Sequence, residues 1–200
     1  CLMEQFILGA GQTIIAPRMA ATTGLSISLD LTDDEGAEYN FGARANAKHA
    51  YTIGTSAAFF VEATFYAADL SGLEPLWLGF RKVEANNATF DSYTDFYAIG
   101  MNNATSATNV ALTSRLNSGG VAPASSGTAW TGGDGGTVAL KVLVSAAGVV
   151  TATIDGGAPS VPVAFTFDNG DVVMPCIHFL HDTTSPGLIG LKTFKCGFQA

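Results

Sequence analysis

TVALKVLVSAAGVVTATIDG, residues 137–156, is the stretch that decides the fold. Val138, Leu140, Val142 and Val144 recur at every second position, which places them on one face of a strand. After Ala146-Ala147-Gly148 the alternation resumes with Val150, Ala152 and Ile154, and Asp155-Gly156 supplies the next turn. Such a pattern is a β-hairpin with one buried face. Val138, Leu140, Val142, Val144 and Ile154 are therefore predicted core residues.

The same period extends in both directions. Downstream come VPVAFTF (161–167), the turn DNGD, VVMPCIHFLHD (172–182) and, after TTSPG, LIGLKTFKCGF (188–198). The last two runs are expected to form a hairpin. Upstream, AFFVEATFYA (58–67) places Phe59, Val61, Ala63 and Phe65 on one side and Phe60, Glu62, Thr64 and Tyr66 on the other. LWLGFRKVE (76–84), DFYAIGMN (95–102) and VALTSRLN (110–117) follow, and LSISLDL (25–31), EYNFGA and AYTIG precede. The Gly-rich segment 118–136 is expected to be a surface excursion. No stretch carries the period of a long amphipathic helix. The chain thus reads as one all-β domain, an antiparallel two-sheet jelly-roll sandwich over residues 25–200, preceded by an N-terminal arm over residues 1–24.

Composition narrows the function. The chain has 200 residues, enough to bury a full core without metal or disulfides. Charged residues make up 13%, about half the usual ~25%, and mean hydropathy is +0.29. A surface so poor in charge suits a glycan-facing domain, or one whose faces are covered by copies of itself. Net charge is −8, so neither nucleic acid nor an anionic membrane is an expected partner. Three cysteines, Cys1, Cys176 and Cys196, form no even framework, and Cys1 in first position implies a processed or trimmed terminus.

The ending, with TATIDGGAP, a strand–turn–strand and a last aromatic-rich strand, resembles the concanavalin A-like, or laminin-G-like, jelly roll. The resemblance runs from Leu25 to Phe198. It implies a long strand entering the turn at Asp155-Gly156 and a last strand returning beside the N-terminal region. The Ala/Thr/Gly/Ser-rich style, the loop NSGGVAPASSG and the opening arm also resemble tailed-phage virion proteins, some of which carry a jelly roll as a decoration, cement or fibre module.

Chemistry-bearing groups are sparse. Retaining glycosidases need two carboxylates ~5 Å apart. Here no strand carries two acids on one face, and Glu62 stands alone between Phe60 and Thr64. No Gly-x-Ser-x-Gly elbow or phosphate loop occurs. No enzyme is therefore expected, and no cofactor. Cys176 and His178 share a strand face while His181 points away, and Cys196 lies on the following strand. Packing is the preferred reading over a zinc site, which would lack a fourth ligand. Asp91 with Asp95, or Asp33, Asp34 and Glu35, could face calcium, as the resemblance implies for loop rims, but an acidic turn is the preferred reading. No metal site is assigned.

Two functions follow. The first is a virion structural protein, a capsid decoration or cement protein working as a homo-oligomer. Its partners are copies of itself and a major capsid or other virion protein. The arm anchors Phe6, Ile7, Leu8, Ile14 and Ile15 would bury against a neighbour, contributing on the order of 1.5–3 kcal/mol each. The alternative is a lectin-like module recognising cell-surface glycan, with Trp130 beside Asp134 as its aromatic platform and Trp77 in the core.

Overall fold

The structure, a computed structural model, describes residues 3–9, 19–27, 35–41, 49–181 and 188–199. Fourteen strands lie among them, and the one helical element described is a 3-10 turn at Phe90–Ser92. They are β1 (Glu4–Leu8), β2 (Met19–Ala20), β3 (Gly24–Ser26), β4 (Gly36–Asn40), β5 (Tyr51–Thr52), β6 (Phe59–Ala67) and β7 (Leu73–Lys82). Then come β8 (Phe96–Asn102), β9 (Ser106–Arg115), β10 (Ala124–Ala129), β11 (Thr137–Val144), β12 (Val150–Ile154), β13 (Val172–His181) and β14 (Ile189–Phe198).

These strands form two antiparallel sheets. The larger runs β1-β4-β13-β7-β8-β9-β10, with β5 also paired to β13, and the smaller runs β12-β11-β6-β14-β3-β2. Strands distant in sequence lie side by side, as in a jelly roll. The hairpin 137–156 forms as its pattern predicts: Leu140 faces Ile154, Val142 faces Ala152 and Val144 faces Val150. At Gly148 φ is +85°, and a Cβ there would meet the Phe167 carbonyl at 2.5 Å, so the turn requires glycine. The last strand β14 returns beside the N-terminal region, pairing Gly190 with Ser26.

The core lies between the sheets. Val138, Leu140, Val142 and Val144 meet Phe59, Val61, Ala63 and Phe65 on the inner face of the smaller sheet, and all eight are fully buried. The larger sheet answers with Leu76, Leu78, Phe80, Tyr97, Ile99, Leu112 and Ile177. Burying each such large side chain contributes roughly 1.5–3 kcal/mol before chain ordering is counted.

Several expectations are corrected. Residues 172–181 and 189–198 do not form a hairpin, since β13 sits in the larger sheet and β14 in the smaller. Residues 161–167 form no continuous strand. Pro162 offers no N–H to a ladder, and one bridge, Val149 to Thr166, is formed. Segment 118–136 contains strand β10, paired to β9. Residues 4–8, read as part of the N-terminal arm, are strand β1 at the edge of the larger sheet, because β4 offers an open edge.

Candidate functional site

Alternation in β7 sends Leu76, Leu78 and Phe80 inward, so Trp77, Gly79 and Arg81 reach the outer face of the larger sheet. Register brings His178 beside Trp77, Cys176 beside Gly79 and Glu38 beside His178 on that face. Residues 83–95, between β7 and β8, fold back over it. Phe90 and Tyr93 from this connection join Trp77, Phe96, Ala98, Ala111 and Cys176 in a second apolar cluster. Trp77 is thus buried as expected, but outside the core between the sheets.

A buried ionic knot lies under that roof. The Arg81 guanidinium donates to Glu38 Oε1 from Nε at 2.8 Å and pairs with it through Nη2 at 2.7 Å. It also donates to Asn86 Oδ1 and lies 4.1 Å above the Tyr93 ring. Tyr93 donates its hydroxyl to Glu38 Oε2 at 2.7 Å, Asn40 donates to Oε1 at 2.8 Å, and His178 Nδ1 lies 3.3 Å from Oε2. The side chains of Glu38, Arg81 and His178 are all 0% exposed. Burial alone would raise the Glu38 pKa, but the His178 bond, the Arg81 charge and the Asn40 amide outweigh it and hold it at about 2. Burial and the Glu38 charge push the Tyr93 phenol far up. Burial likewise pushes up the Cys176 thiol, which contacts the Gly79 carbonyl.

Next to the knot the sandwich opens at one end. Lys82, inward by alternation, bridges Asp95 Oδ2 at 2.9 Å and Asp171 Oδ1 at 2.8 Å. The bond to Asp171 is the first cause that holds its ammonium above the usual lysine range. Burial works against the Asp95 carboxylate, yet the Asn117 amide, Lys82 and Thr94 bring it below the usual range. Lys82, Thr94, Asp95 and Asn117, with Val83, Glu84 and Ser118, line a cleft of about 440 Å³. Its far lip is Asn117-Ser118, both left-handed at φ 53° and 56°, a conformation that costs of order 1 kcal/mol at each non-glycine residue.

The lip is held from every side. Asn117 N donates to Asp95 Oδ1 and Nδ2 to Asp168 Oδ2, while Ser118 N donates to the Thr94 carbonyl. Arg115 spans the turn, donating to the carbonyls of Gly119, Ser118, Asp91 and Tyr93.

The residues singled out in the sequence fall elsewhere. Trp130 is 2% exposed and belongs to the core between the sheets, so it is no binding platform. The glycine turn after it explains this. Gly132, Gly133 and Gly135 take positive φ and let the chain double back tightly, leaving the indole inside. Asp134 accepts the Leu70 amide through Oδ1 and braces that turn. Of the arm anchors, Phe6 and Ile7 are half-buried and Leu8 is buried within the chain's own larger sheet, while Ile14 and Ile15 lie outside the described residues. Cys176 and His178 do share a face, but Cys196 is on the other sheet, so the three do not converge. Asp95 lines the cleft, Asp91 lies in the 3-10 turn, Glu35 is buried, and Asp33 and Asp34 lie outside the described residues.

Sequence reading passed over Glu38, Arg81 and Tyr93, and over Lys82, Asp171 and Asn117. One signal was legible: Arg81 interrupts the apolar run LWLGF on the face opposite Phe80, where a charge demands a partner.

No protein-family model matches the sequence, and no curated protein matches it. Solved structures do resemble the fold. The carbohydrate recognition domain of Emp46p, in its potassium-bound form, superposes with a TM-score of 0.57 at 8% identity, covering 100% of this chain and 88% of that one. The alginate lyase PA1167 from Pseudomonas aeruginosa gives 0.52 at 12%, covering 82% and 74%. The family 18 polysaccharide lyase aly-SJ02 gives 0.50 at 12%, covering 84% and 81%. These likenesses correct the expectation that the chain is no enzyme. That expectation rested on missing hydrolase groups, and a lyase breaks its bond by elimination, which requires neither a carboxylate pair nor a nucleophile elbow. With lyases sharing the fold, the ground for excluding an enzyme is gone. What the chain shares with all three is an antiparallel two-sheet jelly roll.

Proposed function

We propose that the protein is a lectin-like carbohydrate-binding domain and that its glycan seat is the cleft between Lys82 and Ser118. One observation carries this reading: an open polar cleft whose lip, Asn117-Ser118, is held in a strained backbone conformation by bonds from two other segments, Thr94-Asp95 and Asp168. Strain of this kind persists where surrounding structure over-determines it, and such places concentrate at ligand sites. Carboxylate, amide and hydroxyl groups fixed on rigid strand ends suit sugar hydroxyls, which both donate and accept. With Asp95 and Asp171 on the one ammonium and Glu84 also in the lining, the cleft is acidic and fits a neutral saccharide.

The virion reading rests on composition and style. The solved structures named above are carbohydrate-binding or polysaccharide-cleaving domains, and they favour glycan. A second reading, cleavage of polysaccharide by elimination, draws on the knot of Arg81, Tyr93, His178 and Glu38. Those are proton-carrying and cationic groups on one sheet face. The knot is closed, however, and its cation is already paired with Glu38, so the open cleft is the better site.

The test is a neutral-glycan array probed with the wild-type domain, followed by Asn117→Ala and Glu84→Gln. Saturable binding of a neutral glycan that both variants weaken supports the reading. Binding that neither variant changes, or none at all, overturns it.

A further inference from the structure

The outer face of the smaller sheet is of opposite electrical character to the cleft. Alternation brings Phe60, Glu62, Thr64 and Tyr66 of β6 to this face, flanked by Lys141 on β11 and Lys195 on β14. Glu62 lies 3.8 Å from each ammonium. One carboxylate cannot neutralise two lysines, and at that separation neither ammonium is committed to it by a hydrogen bond. Lys192 reaches only a hydroxyl, Thr137 Oγ1 at 3.2 Å, within the bonds described. Among the described residues this face carries Lys141, Lys192, Lys195 and Glu62, with Asp155 at its edge bonded to the Ala139 amide, on a chain whose net charge is −8. The Lys141 ammonium also lies 4.7 Å from the centre of the Phe60 ring, a cation–π contact that holds it on this face while the side chain stays about a third exposed.

We infer that this face is a second binding surface, for an anionic polysaccharide laid across β11, β6 and β14. Lys141 and Lys195 stand two strand spacings apart, roughly 10 Å, so a stiff extended chain can meet both. Half-buried Phe60 and Tyr66 offer apolar rings to sugar faces, and the paired hydroxyls of Thr64 and Thr193 add donors and acceptors between them. Charge complementarity selects the occupant: carboxylate-bearing sugars replace the solvent around ammonium groups that Glu62 leaves half-satisfied. The pairing of β6 with β11 and β14 fixes these groups on strands.

The experiment is affinity electrophoresis of the whole domain through gels containing alginate, dextran or polyglutamate, at low and high salt. Retardation by alginate alone, relieved by salt, is expected. Lys141→Gln with Lys195→Gln should lower alginate affinity about tenfold, Glu62→Gln should raise it, and Asn117→Ala should leave it unchanged. Failure of the cleft to bind neutral glycan bears on the cleft alone and leaves these outcomes intact. The inference is overturned if alginate does not retard the protein, if the lysine pair makes no difference, or if polyglutamate retards it equally. A lysine-dependent dimer that ignores alginate would assign the face to a second copy, which also overturns it.

Discussion

The outer faces of the two sheets start from the same rule and end differently. On both, the second residue of each alternation points away from the core, and on both a charge sits at the centre: Glu38 with Arg81 on the larger sheet, Glu62 with Lys141 and Lys195 on the smaller. On the larger sheet residues 83–95 return over the face and seal the pair from water. On the smaller sheet the charges stay about a third exposed or more. The difference teaches that a connection, not the strand, decides whether a charge becomes a structural commitment or a surface available to a ligand.

The sharpest way to break the comparison is to remove one member of each pair. Arg81→Met strands Glu38 in an apolar roof and should cost about 3–5 kcal/mol, lowering Tm by roughly 10 °C or more in a thermal melt. Replacing both partners, Glu38→Leu with Arg81→Met, should recover much of that loss, because no charge is then left unpaired. Equal damage from the single and double variants would show that packing, rather than charge, holds the roof.

A pH titration of stability separates the faces next. The Glu38 pKa is depressed when folded, so its contribution is present above the ordinary glutamate value of 4.5 and is lost as pH falls toward about 2. That loss is on the order of 3 kcal/mol. Denaturant midpoints should hold from neutral pH to about 5 and then fall, with a flatter decline in Glu38→Gln. On the open face, Glu62→Gln should change stability by less than about 1 kcal/mol, since exposed ion pairs contribute little. A loss there as large as for Arg81→Met would erase the distinction.

The smallest effect belongs to the lip of the cleft. Asn117→Gly relieves a positive φ and should raise stability by a few tenths to about 1 kcal/mol. It also deletes the amide that reaches Asp168, so glycan affinity should fall while Tm rises. A variant that loses stability would show that the amide, not the backbone, dominates.

The fold was legible because a period of two survives in nearly every strand, and the hairpin 137–156 could be read residue by residue. Where that reading failed, the cause was non-local. Nothing in residues 172–198 says that consecutive strands join different sheets, a choice made by which edges remain open. Trp130 looked exposed because glycines surround it, yet those glycines are what let the chain turn the indole inward. The site was far less legible. Asp95, Asn117 and Asp171 meet only because three connections converge at one end, and left-handed φ at Asn117 and Ser118 has no sequence mark beyond the tolerance of Asn.

The most direct measurement of the central claim is amide chemical-shift mapping of the labelled domain during titration with the best neutral glycan from the array. The cleft reading predicts saturable shifts confined to Lys82–Glu84, Thr94–Asp95 and Asn117–Ser118. Shifts clustered elsewhere, or none at saturating sugar, would contradict it.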